Sequence, residues 1–343
     1  SYLDRPAIVP SFAWSVVGGH TRVFSAAWAN ELRLGYTHNE SNQLSPSKES
    51  LYSRFGILGV PNSDKLTGLP TFLPTGYSGL GDPHFEPNPK RAGLLYLTDN
   101  VTWTRGAHSI RFGGDTRRMS QFTGQSAPGA ALSRGLYIFT GLLTGARVGL
   151  PGSAMADLLL GQTTRVRLSA YSDADLRNDN YGFYFNNTWK ATPRLTLNLG
   201  LRYEVQSPPW EANQQAANFD LNPGSPTYGT IVIAKDDNIR DRSFVNLDIN
   251  NFAPRLGLAY RLNDKTVIRA AAGIFYGALD RLDRNVMPSN LPFVVINATP
   301  LNVVLVSPEE QLQAGLPAGF VDAKNAVTPE AVFWPEDLPI LET

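Results

Sequence analysis

Polar and apolar residues alternate one by one over several stretches of this chain, and those stretches come in pairs. Tyr181, Phe183, Phe185 and Trp189 fall on one face, with Gly182, Tyr184, Asn186 and Thr188 on the other. Ala191-Thr192-Pro193-Arg194 then turns. Leu195, Leu197, Leu199, Leu201 and Tyr203 follow, alternating with Thr196, Asn198, Gly200, Arg202 and Glu204. A period of two predicts strands whose faces meet different surroundings. The unit recurs around Arg105-Gly106-Ala107-His108, where Val101 and Trp103 precede the turn and Ile110 and Phe112 alternate with Arg111 and Gly113 after it. Around Leu262-Asn263-Asp264-Lys265, Leu256, Leu258 and Tyr260 precede the turn. Ile268, Ala270, Ala272, Ile274 and Tyr276 follow it, set against Arg269, Ala271, Gly273 and Phe275. A less regular unit turns near Phe24-Ser25-Ala26 and sets Trp28, Leu32, Leu34 and Tyr36 against Glu31, Arg33 and Thr37. The pattern predicts about eight strands in four hairpins, at about 12–37, 94–118, 178–205 and 253–277.

Long polar connections separate the hairpins at 39–91, 120–176 and 205–251, and a tail covers 278–343. Short turn alternating with long loop is the asymmetry of outer-membrane barrels, whose periplasmic turns are short and extracellular loops long. Trp103, Trp189 and Tyr260 each stand just before a short turn, where an interfacial aromatic girdle belongs. The expected fold is therefore all-β: an antiparallel transmembrane β-barrel in a bacterial outer membrane, with this chain as part of a large barrel. A soluble β-sandwich also alternates, but connections beyond ~12–15 residues are uncommon in compact domains. An open sheet cannot persist in lipid with unpaired edges, so the first and last strands are expected to pair with further polypeptide. Asn30 and Asp99 fall on otherwise apolar faces, and the pattern gives no reason for either. Capping signals predict short helices at 307–312, with Ser307, Pro308 and early acids, and at 153–160, ended by Gly161.

Composition changes the picture little. Charged residues are 17%, aromatics 10%, and 30 Gly and 25 Pro stand in 343 residues, a mixture that favours strands and turns over long helices. No run approaches the ~18 apolar residues of a membrane-spanning helix. Formal net charge is zero, so no global field draws nucleic acid, and no nucleic-acid partner is expected. The absence of cysteine suits passage through an oxidising compartment.

Catalytic chemistry finds no foothold, and neither enzyme activity nor a cofactor is expected. His20, His38, His84 and His108 are scattered without metal-ligand spacing. Gly76-Tyr77-Ser78-Gly79-Leu80 lacks the final glycine and the strand-to-helix setting of a nucleophile elbow. Asp236, Asp237 and Asp241 crowd one oxygen-rich loop, a weak calcium candidate without EF-hand spacing, and Lys235, Arg240 and Arg242 offset their charge. The polar set of most interest is Arg33, Arg111, Arg202, Arg255 and Arg269 with Glu31, Asp115 and Glu204, all on faces expected to line a lumen. Pairing between neighbouring strands is their first expected role; contact with a plug, or lining a solute path, is the second.

Several motifs resemble a known family. Tyr181-Gly182-Phe183-Tyr184 and Pro193-Arg194-Leu195-Thr196-Leu197-Asn198-Leu199-Gly200-Leu201-Arg202-Tyr203-Glu204 are similar to the barrel of TonB-dependent outer-membrane receptors. Asn251-Phe252-Ala253-Pro254-Arg255-Leu256-Gly257-Leu258-Ala259-Tyr260 and Gly273-Ile274-Phe275-Tyr276-Gly277 resemble the Oar-like branch, as do Asn30-Glu31-Leu32-Arg33-Leu34-Gly35-Tyr36 and Ala156-Asp157-Leu158-Leu159-Leu160-Gly161. The resemblance implies a barrel of about 22 strands, occluded by a plug and driven by the inner-membrane TonB energy-coupling complex. It also implies a bound or transported solute or protein. No plug segment and no energy-coupling motif is recognised in this sequence. The expected partners are outer-membrane lipid and lipopolysaccharide, and the remaining barrel strands or plug from the same precursor or another chain. A passive porin or a surface scaffold is the alternative function.

Overall fold

The computed structural model describes residues 9–45, 49, 51–57, 66–83, 87–124, 132–145, 152–235, 237–277, 287–290, 292–294 and 296–298. Eight long strands form one antiparallel sheet in chain order: β1 (Ser11–Ser25), β2 (Trp28–Gln43), β3 (Asn88–Arg105), β4 (His108–Gly124), β5 (Asp173–Thr192), β6 (Leu195–Gln206), β7 (Asp248–Asn263) and β8 (Thr266–Gly273). Every neighbour in this wall is the next long strand in sequence, so it is a plain meander. The short strand Trp210–Glu211 adds to β5 at the loop end.

Two-residue turns join the hairpins at 26–27, 106–107, 193–194 and 264–265. Local chemistry fixes them. Gly106 takes the left-handed φ of 58°, which costs a residue with Cβ more than glycine. The Thr192 hydroxyl accepts from the amides of Arg194 (3.2 Å) and Leu195 (3.0 Å), and the Asn263 side chain accepts from Lys265 N at 2.9 Å. The first turn lies one to two residues later than the Phe24-Ser25-Ala26 signal suggests.

At the other end the strands outrun their alternation. The connections occupy 44–87, 125–172 and 207–247 rather than 39–91, 120–176 and 205–251. The ladder continues through polar residues such as Glu40, Asn42, Lys90 and Arg91, paired in register. Beyond an apolar layer nothing requires the outward residues to be hydrophobic, so hydrogen bonding outlasts the pattern.

Register places one apolar stripe on the outward face. Trp28 and Tyr36, Tyr181 and Trp189, and Phe252 and Tyr260 are each eight positions apart on their strands, as are Leu95 and Trp103, and Leu195 and Tyr203. Trp28 stacks on Trp103 at 5.1 Å and Trp189 on His108 at 5.5 Å near the turns, while Tyr203 stacks on Phe252 at 4.7 Å towards the loops. Side chains between these borders are bare: Phe183 is 58% exposed and Leu256 61%. Exposed apolar area on this scale belongs in lipid.

Order inside the long connections is supplied by a second body. Thr71–Pro74, Leu136–Phe139, Arg165–Ser169 and Ile296–Ala298 make a small sheet, parallel between the first two strands and antiparallel elsewhere. Tyr52, Ile57, Tyr137, Phe139 and Val166 form its core, with Phe72 and Leu158 packed against it. The fully buried pair Arg134 and Asp82 joins two connections at 3.5 Å. Asp82 Oδ2 also accepts from Ser45 Oγ (2.7 Å) and Leu69 N (2.8 Å), and Arg134 donates to the Thr67 carbonyl at 2.9 Å. Gly68, at φ 94°, is needed here, because a Cβ would strike Asp82, Ser45 and Arg134 at once. The helix expected at 153–160 is Ala154–Leu159. Ser153 Oγ accepts from Ala156 N, and Gly161 follows at φ 69°. The helix expected at 307–312 lies outside the described residues.

The wall does not seal on itself. Its path begins at β1 and ends at β8, and among the described residues neither edge strand pairs with the other. Among the described residues the eight strands form an open sheet and no sealed cylinder.

Candidate lumen-facing site

Alternation that turns leucines outward turns Arg33, Arg111, Arg202, Arg255, Arg269, Glu31, Asp115 and Glu204 to the opposite face. These residues fall into two groups.

The loop-side group is ion-paired. Direct pairing sets Asp115, Gly182 and Glu204 in one row across β4, β5 and β6, one step from Arg202. The Arg202 guanidinium crosses β5 to Asp115 at 2.8 Å and also holds Glu204 on its own strand. Gly182 makes this crossing feasible, since a Cβ there would strike both Arg202 and Asp115. Arg117 approaches Asp115 at 3.8 Å, and Arg33 Nε donates to Glu31 at 2.9 Å along β2. Tyr184 donates to the Asn100 side chain at 2.5 Å. Arg33, Asp115, Arg117, Tyr184, Arg202 and Glu204, together with Tyr96 and Arg255, line a cavity of about 550 Å³. Carboxylate and guanidinium hold one another here, so this part of the wall is close to charge-balanced.

The turn-side group is not balanced. Arg111, Asn186, Gly200, Arg255 and Gly273 lie in a single directly paired row across β4 to β8. Two rows nearer the turns, Lys190, Thr196, Ala259 and Arg269 form another. No carboxylate lies within ion-pair distance of Arg111, Lys190, Arg255 or Arg269 among the described residues. Arg255 rests over the Phe275 ring at 4.6 Å, and its buried Nε has no hydrogen-bond partner. A second cleft of about 590 Å³ opens here, lined by Arg111, Asn186, Gly200, Arg255, Gly257 and Phe275 among others.

The phase of the alternation names the face but not the partners. It reaches Arg33, Arg111, Arg202, Arg255 and Arg269 directly. Arg117, Tyr184, Asn186 and Lys190 share that phase, but a polar residue on a polar face carries no signal that sets it apart.

The remaining candidates take structural places. His108 stacks in the turn-side aromatic border and its Nδ1 meets the Asn187 side chain at 3.3 Å. His38 stands 3.8 Å from Glu40 near the loops; His84 lies outside the described residues. Asp241 is bound to a helix cap: its amide donates to Asn238 Oδ1 at 3.1 Å, and its carboxylate accepts from Asn238 Nδ2 at 2.6 Å. Asp236 lies outside the described residues, and among those described no three acidic or histidine side chains are grouped as a metal site.

The family model described as an outer membrane beta barrel domain matches residues 5–340. No curated protein sequence matches. Among solved structures, the chain is similar to the outer membrane transporter YddB from Escherichia coli, at 13% identity and a TM-score of 0.43, over 81% of this chain and 27% of that one. It is also similar to the closed form of the ferric-catecholate import receptor Fiu from Escherichia coli K12, at 13% identity and 0.38, over 77% of this chain and 32% of the receptor. The copper transporter OprC gives 14% and 0.35, over 81% and 32%. The chain thus spans between a quarter and a third of the length of these structures.

Proposed function

Because this chain belongs to the outer membrane beta barrel domain family and resides in the bacterial outer membrane, we propose that it forms part of the wall of an Oar-like, TonB-dependent receptor that binds and moves a solute or protein. The observation that carries this reading is the pairing of a two-faced wall with a folded body at its loop end. The lipid face is bordered by aromatics, the lumen face carries ordered charge, and the extracellular connections are packed around Tyr137 and Phe139. A surface built this way suits selective capture more than an open aperture, whose loops need no core of their own.

Further strands, and a plug within the lumen, are the partners this reading calls for. The TonB complex would supply energy, and lipid and lipopolysaccharide would surround the outer face. The test uses the intact outer-membrane protein that carries this chain. Uptake of a ligand found by screening should collapse when a protonophore removes the inner-membrane gradient, and planar bilayers should show no standing conductance. Protonophore-insensitive uptake with a steady open conductance would support the passive porin instead.

A further inference from the structure

The lumen face is electrically divided. On the loop side, Asp115 and Glu204 offset Arg202 and Arg117. From the Arg111 row down to the turns, the inward residues of β4 to β8 include Arg111, Lys190, Arg255 and Arg269 and no carboxylate. Barrel interiors ordinarily balance such charges between neighbouring strands. Here nothing on the described wall does so, and a cleft opens where the balance fails.

We propose that this cleft is an anion-binding site, taking a multiply charged carboxylate- or phosphate-bearing group between Arg111 and Arg255. The two arginines stand three strands apart in one row, or roughly 14 Å between their backbones at ~4.8 Å per strand. Asn186 and Gly200 occupy the two positions between them. Gly200 carries no side chain, and the Asn186 carboxamide lies over it where a Cβ would stand. The Asn186 side-chain amide makes no hydrogen bond among the described residues and is available as a donor. Arginine gives planar, two-pronged recognition of carboxylate and phosphate oxygens. Phe275 holds the Arg255 guanidinium by its ring face, and with Nε buried it is the terminal N–H groups that are left to a ligand. Lys190 and Arg269, nearer the periplasm, extend the same positive field.

This inference rests on the barrel reading above, since it needs the polar face to be a lumen. It does not need transport, and binding can be measured without it. Two sources present the same chemistry: a free anionic solute, or acidic side chains of a polypeptide segment lodged in the lumen.

The intact protein is purified in detergent, and tripolyphosphate and citrate are titrated calorimetrically at low and high salt. Unheated electrophoretic mobility serves as the check of folding. For a free anion, the wild type binds at low salt and weakens as salt rises. Arg111→Gln with Arg255→Gln then lowers affinity at least tenfold, while Arg33→Gln, whose arginine already has a carboxylate, changes it less than twofold. For a lodged acidic segment, neither probe binds the wild type, and Arg111→Glu with Arg255→Glu exposes new trypsin cleavage sites in a protein of unchanged mobility. Equal binding by wild type and the double glutamine variant overturns the proposal. So does an absence of binding together with an unchanged cleavage pattern.

Discussion

Asn30 Nδ2 donates to Asp99 Oδ1 at 2.5 Å, and to the Asn100 carbonyl at 3.3 Å, on the outward face of the wall. Asp99 is four positions from Trp103 and four from Leu95, in the middle of the stripe that meets lipid. Its direct partners on that face are Leu32 and Gly114, so Asn30, one step away on the diagonal, is its principal partner. Each polar group on this face is there because the other is. Asn30→Leu alone should therefore cost about 1–3 kcal/mol by leaving the carboxyl without its donor. Asn30→Leu with Asp99→Leu should recover most of that loss. Urea unfolding in bilayers reads the cycle, and a double variant as unstable as the sum of the singles would show the contact to be incidental.

Leu199 lies midway between Leu195 and Tyr203 and is 38% exposed. Leu199→Arg should cost about 2–4 kcal/mol in the same measurement, the penalty for a cation at the midplane. Arginine in place of Thr196, which faces the lumen near the turn, should cost far less. Equal costs at the two positions would reverse the assignment of faces.

Breaking the Asp82–Arg134 pair should act on the loop body and spare the wall. Both side chains are fully buried, so Asp82→Asn removes the buried anion that faces the Arg134 guanidinium, at about 3–5 kcal/mol. Limited proteolysis should then cut within 44–87 and 125–172 while the wall keeps its unheated mobility. Replacing both, Asp82→Leu with Arg134→Met, should restore part of the protection.

Burial pushes the Tyr171 phenol up to about 12; Asp173 adds to the shift and Arg91 opposes it. Burial raises Tyr52 and Tyr137 in the same direction. A folded state that keeps the proton longer than the unfolded chain, whose tyrosines titrate near ~10, is fully stabilised below about pH 10. That stabilisation is lost as pH rises through the folded value. The loop body should hold its protease resistance up to about pH 10 and lose it above, in step with tyrosinate absorbance. Tyr171→Phe should remove part of the slope, and loss of resistance well below pH 10 would point to other groups.

The wall was legible because a period of two survives wherever one face meets lipid. The leucines of β6 and the aromatics of β5 could be assigned to a face from sequence alone. What escaped depends on register, which alternation does not set. Asn30 and Asp99 looked like two separate faults until the pairing of β2 with β3 made them neighbours. Likewise Arg202 reaches Asp115 two strands away, in addition to Glu204 on its own strand, because β5 places a glycine between them. The loop body escaped for a different reason. Its strands are three to five residues long and come from connections far apart in sequence, too short to show a period and too distant to show a partner.

The paired borders of the outward stripe also act as a gauge. Eight steps of ~3.3 Å along strands tilted by ~40° span about 20 Å, shorter than the ~25 Å apolar band usual for outer-membrane barrels. Acyl chains touching this wall must shorten, splay or tilt to keep their ends between Trp28 and Tyr36 or between Trp189 and Tyr181. The protein therefore carries a thinned annulus of lipid with it. In a mixed membrane that annulus will gather the shorter and more disordered chains, and two such walls will attract each other wherever sharing one annulus leaves less of the bilayer deformed.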